Sequence, residues 1–111
     1  IDYMLTKFSD LVEGMLVYPE RMKRNLDLTR GLIYSEQVLL KLAKRCQSRE
    51  EAYRMVQRNA MRSWESGEDF LSLLLTDPEI RQRLSEDEIR GCFDLEAHLH
   101  HVDAIYARLG L

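Results

Sequence analysis

Three histidines near the carboxyl end are the residues whose type and spacing come closest to forming a site. His98 and His101 lie three residues apart, and His100 lies between them. On a helix this spacing places two imidazoles on one face, where they could bind a metal ion or, because histidine titrates near neutral pH, transfer a proton. A zinc site needs three or four ligands, and no serine or cysteine nucleophile motif accompanies the histidines. The pattern favours surface or half-packed histidines, with a small metal-binding protein as the alternative.

A basic cluster just after a proline is the second candidate site, and it consists of Arg21, Lys23 and Arg24. Proline suits the first position of a helix, and a helix amino terminus attracts anions. The three cations are therefore the candidate substrate-binding residues, with a phosphate as the anion they could meet. A solvated helix face is the alternative, because charge is generally segregated here. Residues 19–45 hold seven basic and three acidic side chains, whereas residues 65–94 hold nine acidic and three basic ones.

Composition is that of an ordinary globular domain. The chain has 111 residues, of which 45% are hydrophobic and 32% charged, enough for one modest core. Its net charge of −3 gives no overall attraction to nucleic acid or to anionic membranes, so we expect neither as a partner.

Cys46 and Cys92 are too few and too far apart for a disulfide framework or a zinc site, which favours reduced thiols in a cytoplasmic protein. No apolar run approaches the ~20 residues that span a bilayer, and no signal segment opens the chain.

The elements that must position these residues are all predicted to be helices. Only two prolines and five glycines interrupt the sequence, and no alternating strand pattern is present. The first helix carries an apolar stripe that is in phase from residue 1, which predicts the end of a longer helix and a stop near residues 16–18. The stripe consists of Ile1, Met4, Leu5, Phe8, Leu11, Val12, Met15 and Leu16. The fold class is therefore all-α: a small bundle of five or more helices, preceded by the end of a long bundle helix.

Helix boundaries follow from proline, glycine and capping residues. The second helix is predicted to run from residue 19 to about 28. The third is predicted to follow a break at residues 29–31 and to end near residue 46. Ser48 and Glu51 form a capping-box pair for the fourth helix. Its predicted stop is Gly67, and its predicted buried stripe ends at Trp64. The apolar members of that stripe are Ala52, Met55, Val56, Ala60 and Trp64.

The last third of the chain is predicted to form shorter helices. Phe70 begins a densely apolar turn of helix, and Asp77 caps the next helix. Ser85 and Glu88 form a second capping-box pair. Asp94 is expected to cap one final helix with a continuous buried stripe. That stripe comprises Leu95, Leu99, Val102, Ile105, Tyr106 and Leu109.

Three segments together resemble one known family along essentially the whole chain: residues 18–42, 48–61 and 92–106. They are similar to the C-terminal domain of bacterial adenylosuccinate lyases, in the fumarase/aspartase superfamily. The resemblance implies that residues 1–17 are the tail of a long central-bundle helix and that residues 18–111 are the C-terminal helical domain. It also implies a cytoplasmic homotetramer in purine biosynthesis, whose active sites form from several subunits.

The chemistry implied by the resemblance is β-elimination of fumarate from adenylosuccinate and from succinyl-aminoimidazole-carboxamide ribotide. In the family, a serine on a mobile Ser-Ser-x-Met-Pro-x-Lys-x-Asn-Pro loop is the base, and a histidine from an earlier domain is the acid. Neither motif occurs in this sequence, and the family's phosphate-clamping arginine and serine lie upstream of the region represented here. We therefore expect no catalytic residue, metal or cofactor, and no lyase activity from this chain alone.

The implied role is to cover and shape the active-site entrance and to buttress the bundle. The implied partners are the remainder of the lyase subunit and its homo-oligomer. Separated from them, the chain is expected to self-associate through the apolar stripe of the first helix, at Ile1, Leu5, Phe8 and Val12. Two alternatives remain open at this point, an independent helical protein-interaction module and a small metal- or phosphate-binding protein.

Overall fold

Helices make up the whole architecture of the computed structural model, which describes residues 1–111. There are nine α-helices, and 3-10 turns lie at Leu32–Tyr34 and Gly91–Phe93. The α-helices are α1 (Asp2–Glu13), α2 (Pro19–Asp27), α3 (Ser35–Ala43), α4 (Arg49–Ser66), α5 (Phe70–Thr76), α6 (Pro78–Arg81), α7 (Glu86–Arg90), α8 (Glu96–Leu99) and α9 (Val102–Arg108). The all-α prediction is confirmed. No helix is both long enough and apolar enough to cross a membrane.

A single hydrophobic core lies between residues 38 and 92, where α4 packs against α3 and α5, and α5 packs against α7. Phe70, Leu42 and Ile89 are completely buried at its centre. Its remaining members are Val38, Ala52, Met55, Val56, Leu74, Ile80, Leu84 and Cys92. The predicted small bundle on one core is therefore confirmed for the middle of the chain.

Capping interactions begin α4 and α7 where the sequence predicts them. Ser48 Oγ accepts from the Glu51 amide at 3.1 Å, and Ser85 Oγ accepts from the Glu88 amide at 3.2 Å. Around Ser85 the box is complete, because the Glu88 carboxylate also accepts from the Ser85 amide at 2.9 Å. Around Ser48 the Glu51 carboxylate accepts instead from the amide of Gln47, one residue earlier, at 3.0 Å. The first box is thus shifted by one residue but still satisfies an otherwise free amide.

Trp64 is not part of the core, which corrects the predicted stripe of α4. Its side chain is 73% exposed. The buried face of α4 instead continues through Asn59 and Ser63. Ser63 Oγ donates to the carbonyl of Glu68 at 2.6 Å, so the turn after α4 folds closely over that end of the helix and a large side chain would not fit there. Trp64 follows Ser63 by ~100° around the helix and therefore faces outward.

The last segment also differs from its prediction. Two short helices, α8 and α9, replace one helix, and Leu99, Ile105 and Leu109 are 45%, 54% and 69% exposed. The residue that precedes α8 is Leu95, which has no capping side chain, although Asp94 Oδ1 accepts from the Glu96 amide at 3.0 Å. The core is already closed by the preceding 3-10 turn, so the apolar side chains beyond it have no element of this chain to pack against.

Candidate functional site

The first two helices form an arm in which every residue from 1 to 28 is exposed. Helix α1 ends at Glu13, because Gly14 caps it, and so it is shorter than predicted. Its apolar stripe nevertheless lies on one face, which we call the α1 stripe. Its members are exposed by 46% to 96%: Ile1, Met4, Leu5, Phe8, Leu11, Val12 and Met15. An exposed apolar surface of this length marks an interaction site, since monomeric proteins rarely leave such a patch open.

The basic cluster lies on α2, and the structure brings two of its three cations together. Arg21 and Arg24 line a surface groove with Tyr18, whereas Lys23 is not part of that groove. This follows from helical spacing, because residues three apart share a face. None of the three cations makes an ion pair with a carboxylate. The groove can therefore offer two guanidinium groups to an anion, beside the carboxylate of Glu20, which also lines it.

A tight left-handed junction joins the arm to the core. Arg30 and Gly31 have φ of 50° and 87°, and the Arg30 carbonyl accepts from the Phe70 amide at 3.1 Å. A Cβ atom at Gly31 would lie 2.9 Å from the Phe93 ring, so glycine is required by space as well as by backbone angle. The break predicted at residues 29–31 is confirmed, but the left-handed φ of Arg30 was not predicted, because its residue type does not signal it.

A buried polar cluster holds α4 to the start of α6. Asp77 Oδ2 accepts from Arg58 and from Asn59, both at 2.7 Å. Its other oxygen, Oδ1, accepts from the amides of Glu79 at 2.9 Å and Ile80 at 3.3 Å, and so caps α6. The cap was predicted from the Asp-Pro pair. Its partners on α4 were not predicted, because no sequence signal links Asp77 to Arg58 and Asn59, which precede it by 19 and 18 residues.

The pKa of Asp77 reflects this environment. Burial raises the pKa of the carboxyl, but hydrogen bonds from Asn59 and Arg58 and from the Ile80 amide outweigh burial and leave the pKa below its usual value. Both carboxylate oxygens already have partners, and the charge is held by Arg58. The cluster is therefore a structural element and leaves no group free for catalysis.

Two cations, one in α3 and one just after it, also hold helices together. Lys41 Nζ donates to the Glu88 carbonyl at 3.1 Å, and Arg45 donates to the Glu88 carboxylate at 2.9 Å. The hydrogen bond from the Ser85 amide, reinforced by the charge of Arg45, holds the pKa of Glu88 below its usual value. Part of the charge segregation along the sequence therefore serves to dock basic α3 against acidic α7, whereas the cations of α2 make no ion pair.

The three histidines do not come together as a site. The His98 ring lies 5.9 Å from Tyr34, and the rings of His100 and His101 are 3.8 Å apart at the break between α8 and α9. No group of three or more histidine, cysteine, aspartate or glutamate side chains is placed to hold a metal ion.

Comparison with known proteins identifies the family. A family model described as adenylosuccinate lyase C-terminus matches residues 31–109. Adenylosuccinate lyase of Bacillus subtilis (strain 168) is 49% identical over 111 residues, which is 100% of this chain and 26% of that protein. The Thermotoga maritima enzyme is 44% identical over 106 residues, covering 96% of this chain and 25% of that protein, and the Streptococcus mutans enzyme is 44% identical over 111 residues.

The chain belongs to the adenylosuccinate lyase C-terminus family. It spans about a quarter of the length of the curated relatives that it matches. The family resemblance inferred from the sequence is thereby confirmed, and the comparisons support a lyase C-terminal domain and not an independent interaction module.

Proposed function

We propose that this chain is the C-terminal part of an adenylosuccinate lyase subunit. The parent enzyme eliminates fumarate from adenylosuccinate and from succinyl-aminoimidazole-carboxamide ribotide in the cytoplasm. The proposal rests on the family match together with one structural observation, the exposed α1 stripe. A middle region with its own core and an arm without one is the arrangement expected of a domain attached to a larger helical body.

The proposed division keeps residues 1–17 as the tail of a long central-bundle helix and residues 18–111 as the capping domain. The exposed apolar side chains of α1 would pack between other long helices, in this subunit and in its copies within a homotetramer. The domain that follows would cover the active-site entrance and buttress the bundle. In this role the domain shapes the active site and excludes water from it, while the rest of the enzyme supplies the catalytic acid and base.

The groove between Arg21 and Arg24 is the proposed point of contact with substrate. Two unpaired guanidinium groups beside a helix amino terminus suit a carboxylate or a phosphate. Arg21→Ala in the full-length lyase is expected to raise KM for adenylosuccinate, and Lys23→Ala, outside the groove, serves as the matched control. Equal KM values for both variants and the wild type would remove the groove from the site.

Removing the domain tests its proposed role directly. A full-length lyase that lacks residues 18–111 is expected to lose most of its turnover, because the active-site entrance is then open to water. Fumarate release is the assay, and sedimentation of the truncated enzyme shows whether the tetramer is still formed. A truncated tetramer with unchanged kcat and KM would contradict the covering role.

The isolated chain is proposed to self-associate through Ile1, Leu5, Phe8 and Val12. Pairing that buries ~400 Å² of apolar area would gain about 10 kcal/mol before association and ordering costs are subtracted. Sedimentation equilibrium should therefore show a concentration-dependent dimer. Phe8→Glu should abolish it, whereas Thr6→Glu, on the opposite face of α1, should not. A strictly monomeric chain with an ordered, protease-resistant α1 would refute the idea.

A further inference from the structure

A second exposed apolar surface lies on α4, away from the α1 stripe. Tyr53, Met61 and Trp64 are 51%, 49% and 73% exposed. At 100° per residue they fall within an arc of about 100° around the helix together with half-buried Ala60, and they extend over about 17 Å. We call these four residues the α4 stripe. The centre of the α4 stripe lies roughly 125° around the helix from the centre of the buried face, so the stripe does not pack into the core of this chain.

The chemistry of the α4 stripe is that of a binding surface. Tryptophan and tyrosine each present roughly 150–250 Å² when free, so these two side chains leave on the order of 250 Å² of aromatic surface open to water. Trp64 and Tyr53 make no aromatic pair within the chain. Large aromatic side chains with polar surroundings are typical of the residues that dominate protein interfaces.

The position of the stripe indicates what covers it. Gly67 ends α4 just after Trp64, and a Cβ atom there would lie 3.4 Å from the Arg30 guanidinium. The Phe70 amide also donates to the Arg30 carbonyl, so the arm joins the domain beside the Trp64 end of α4. Residues 1–28 of the arm are all exposed, so the arm itself does not cover this surface. The relatives are about four times as long as this chain, so most of their length is available to occupy it.

We propose that the α4 stripe docks the C-terminal domain onto the part of the same lyase subunit that precedes residue 1, with Trp64 as the central anchor. This inference rests on the proposed function. It assigns to the domain a second attachment, separate from α1, that holds the domain at a fixed angle over the body of the subunit.

Trp64 emission provides the first test, because Trp64 is the single tryptophan of this chain. In the full-length lyase its emission is obtained as the difference between wild type and Trp64→Phe. It should be blue-shifted and several-fold less accessible to acrylamide than in the isolated 111-residue chain. Equal accessibility in both would overturn the proposal. A blue shift in the isolated chain that grows with concentration would also overturn it, since the occupant would then be a second copy of this chain.

A matched pair of variants provides the second test. Trp64→Lys and Glu65→Lys change neighbouring exposed residues of α4. In the full-length lyase, Trp64→Lys should increase the rate of proteolysis at the arm–domain junction about tenfold, and Glu65→Lys should leave it unchanged. Equal rates for both variants would overturn the proposal. Fumarate release by the wild-type enzyme separates the two ideas: an inactive wild type removes the proposed function, whereas an active enzyme with Trp64 exposed removes only the docking surface.

Discussion

Replacing Asp77 by alanine should destabilise the isolated chain more than any other single change of a charged residue. The substitution removes the cap of α6, which is worth about 1 kcal/mol. It also leaves a buried Asn59 N–H without its acceptor, at a cost of about 1–3 kcal/mol. The lost Arg58 pair adds little, because the Arg58 side chain is 54% exposed. The expected loss in free energy of unfolding is therefore roughly 2–4 kcal/mol.

Urea unfolding followed by circular dichroism at pH 7 measures this loss. Glu79→Ala is the matched control, because Glu79 binds the same arginine through a pair in which both side chains are 54% exposed. The control should lose no more than about 1 kcal/mol. Equal losses for the two variants would show that the buried cluster does not hold α4 to α6.

The pH dependence of the same measurement gives an independent check. The pKa of Asp77 is lowered in the folded chain, so its ionised form stabilises the fold fully above the unfolded value of about 4. That stabilisation is lost as the pH falls through the lower, folded pKa. The stability difference between wild type and Asp77→Asn should therefore shrink on acidification below about pH 4. A difference that is constant or grows in acid would refute the assignment.

Three further predictions concern the cap, the exposed tryptophan and the junction. Ser48→Ala should cost about 1 kcal/mol in urea unfolding, because the Glu51 amide loses its acceptor, and an unchanged midpoint would exclude the cap. Trp64→Ala should change the stability of the isolated chain by less than about 0.5 kcal/mol, and a large loss would return Trp64 to the core. Gly31→Ala should cost roughly 1–3 kcal/mol, because the methyl group meets Phe93 and the backbone has φ of 87°, and wild-type stability would show that the junction relaxes freely.

Local signals in the sequence predicted most helix boundaries correctly. Ser48, Ser85 and Asp77 cap helices because a short polar side chain can reach the free amides of its own first turn, and this depends only on neighbouring residues. Gly67 ends α4 with φ of 76° for an equally local reason. The all-α fold class followed from helical periodicity and the absence of a strand pattern, and the family resemblance added the parent enzyme.

Long-range packing could not be predicted in the same way. Trp64 was assigned to the core because it is apolar and in phase, yet Ser63 occupies the buried position, since the turn after α4 leaves room only for a small side chain. The predicted burial of the apolar stripe in the last helix was wrong for a similar reason, because this chain offers no surface against which those side chains could pack. Of the candidate site, sequence identified the three cations of α2 but not that Arg21 and Arg24 share a groove that excludes Lys23.

Fumarate release from adenylosuccinate, measured side by side for the purified 111-residue chain and the full-length lyase, tests the central claim most directly. The chain should show no turnover above background, because the serine loop and catalytic histidine of the family are absent from its sequence. The full-length protein should release fumarate readily. Turnover by the isolated chain at a rate comparable to that of the full-length enzyme would contradict the claim.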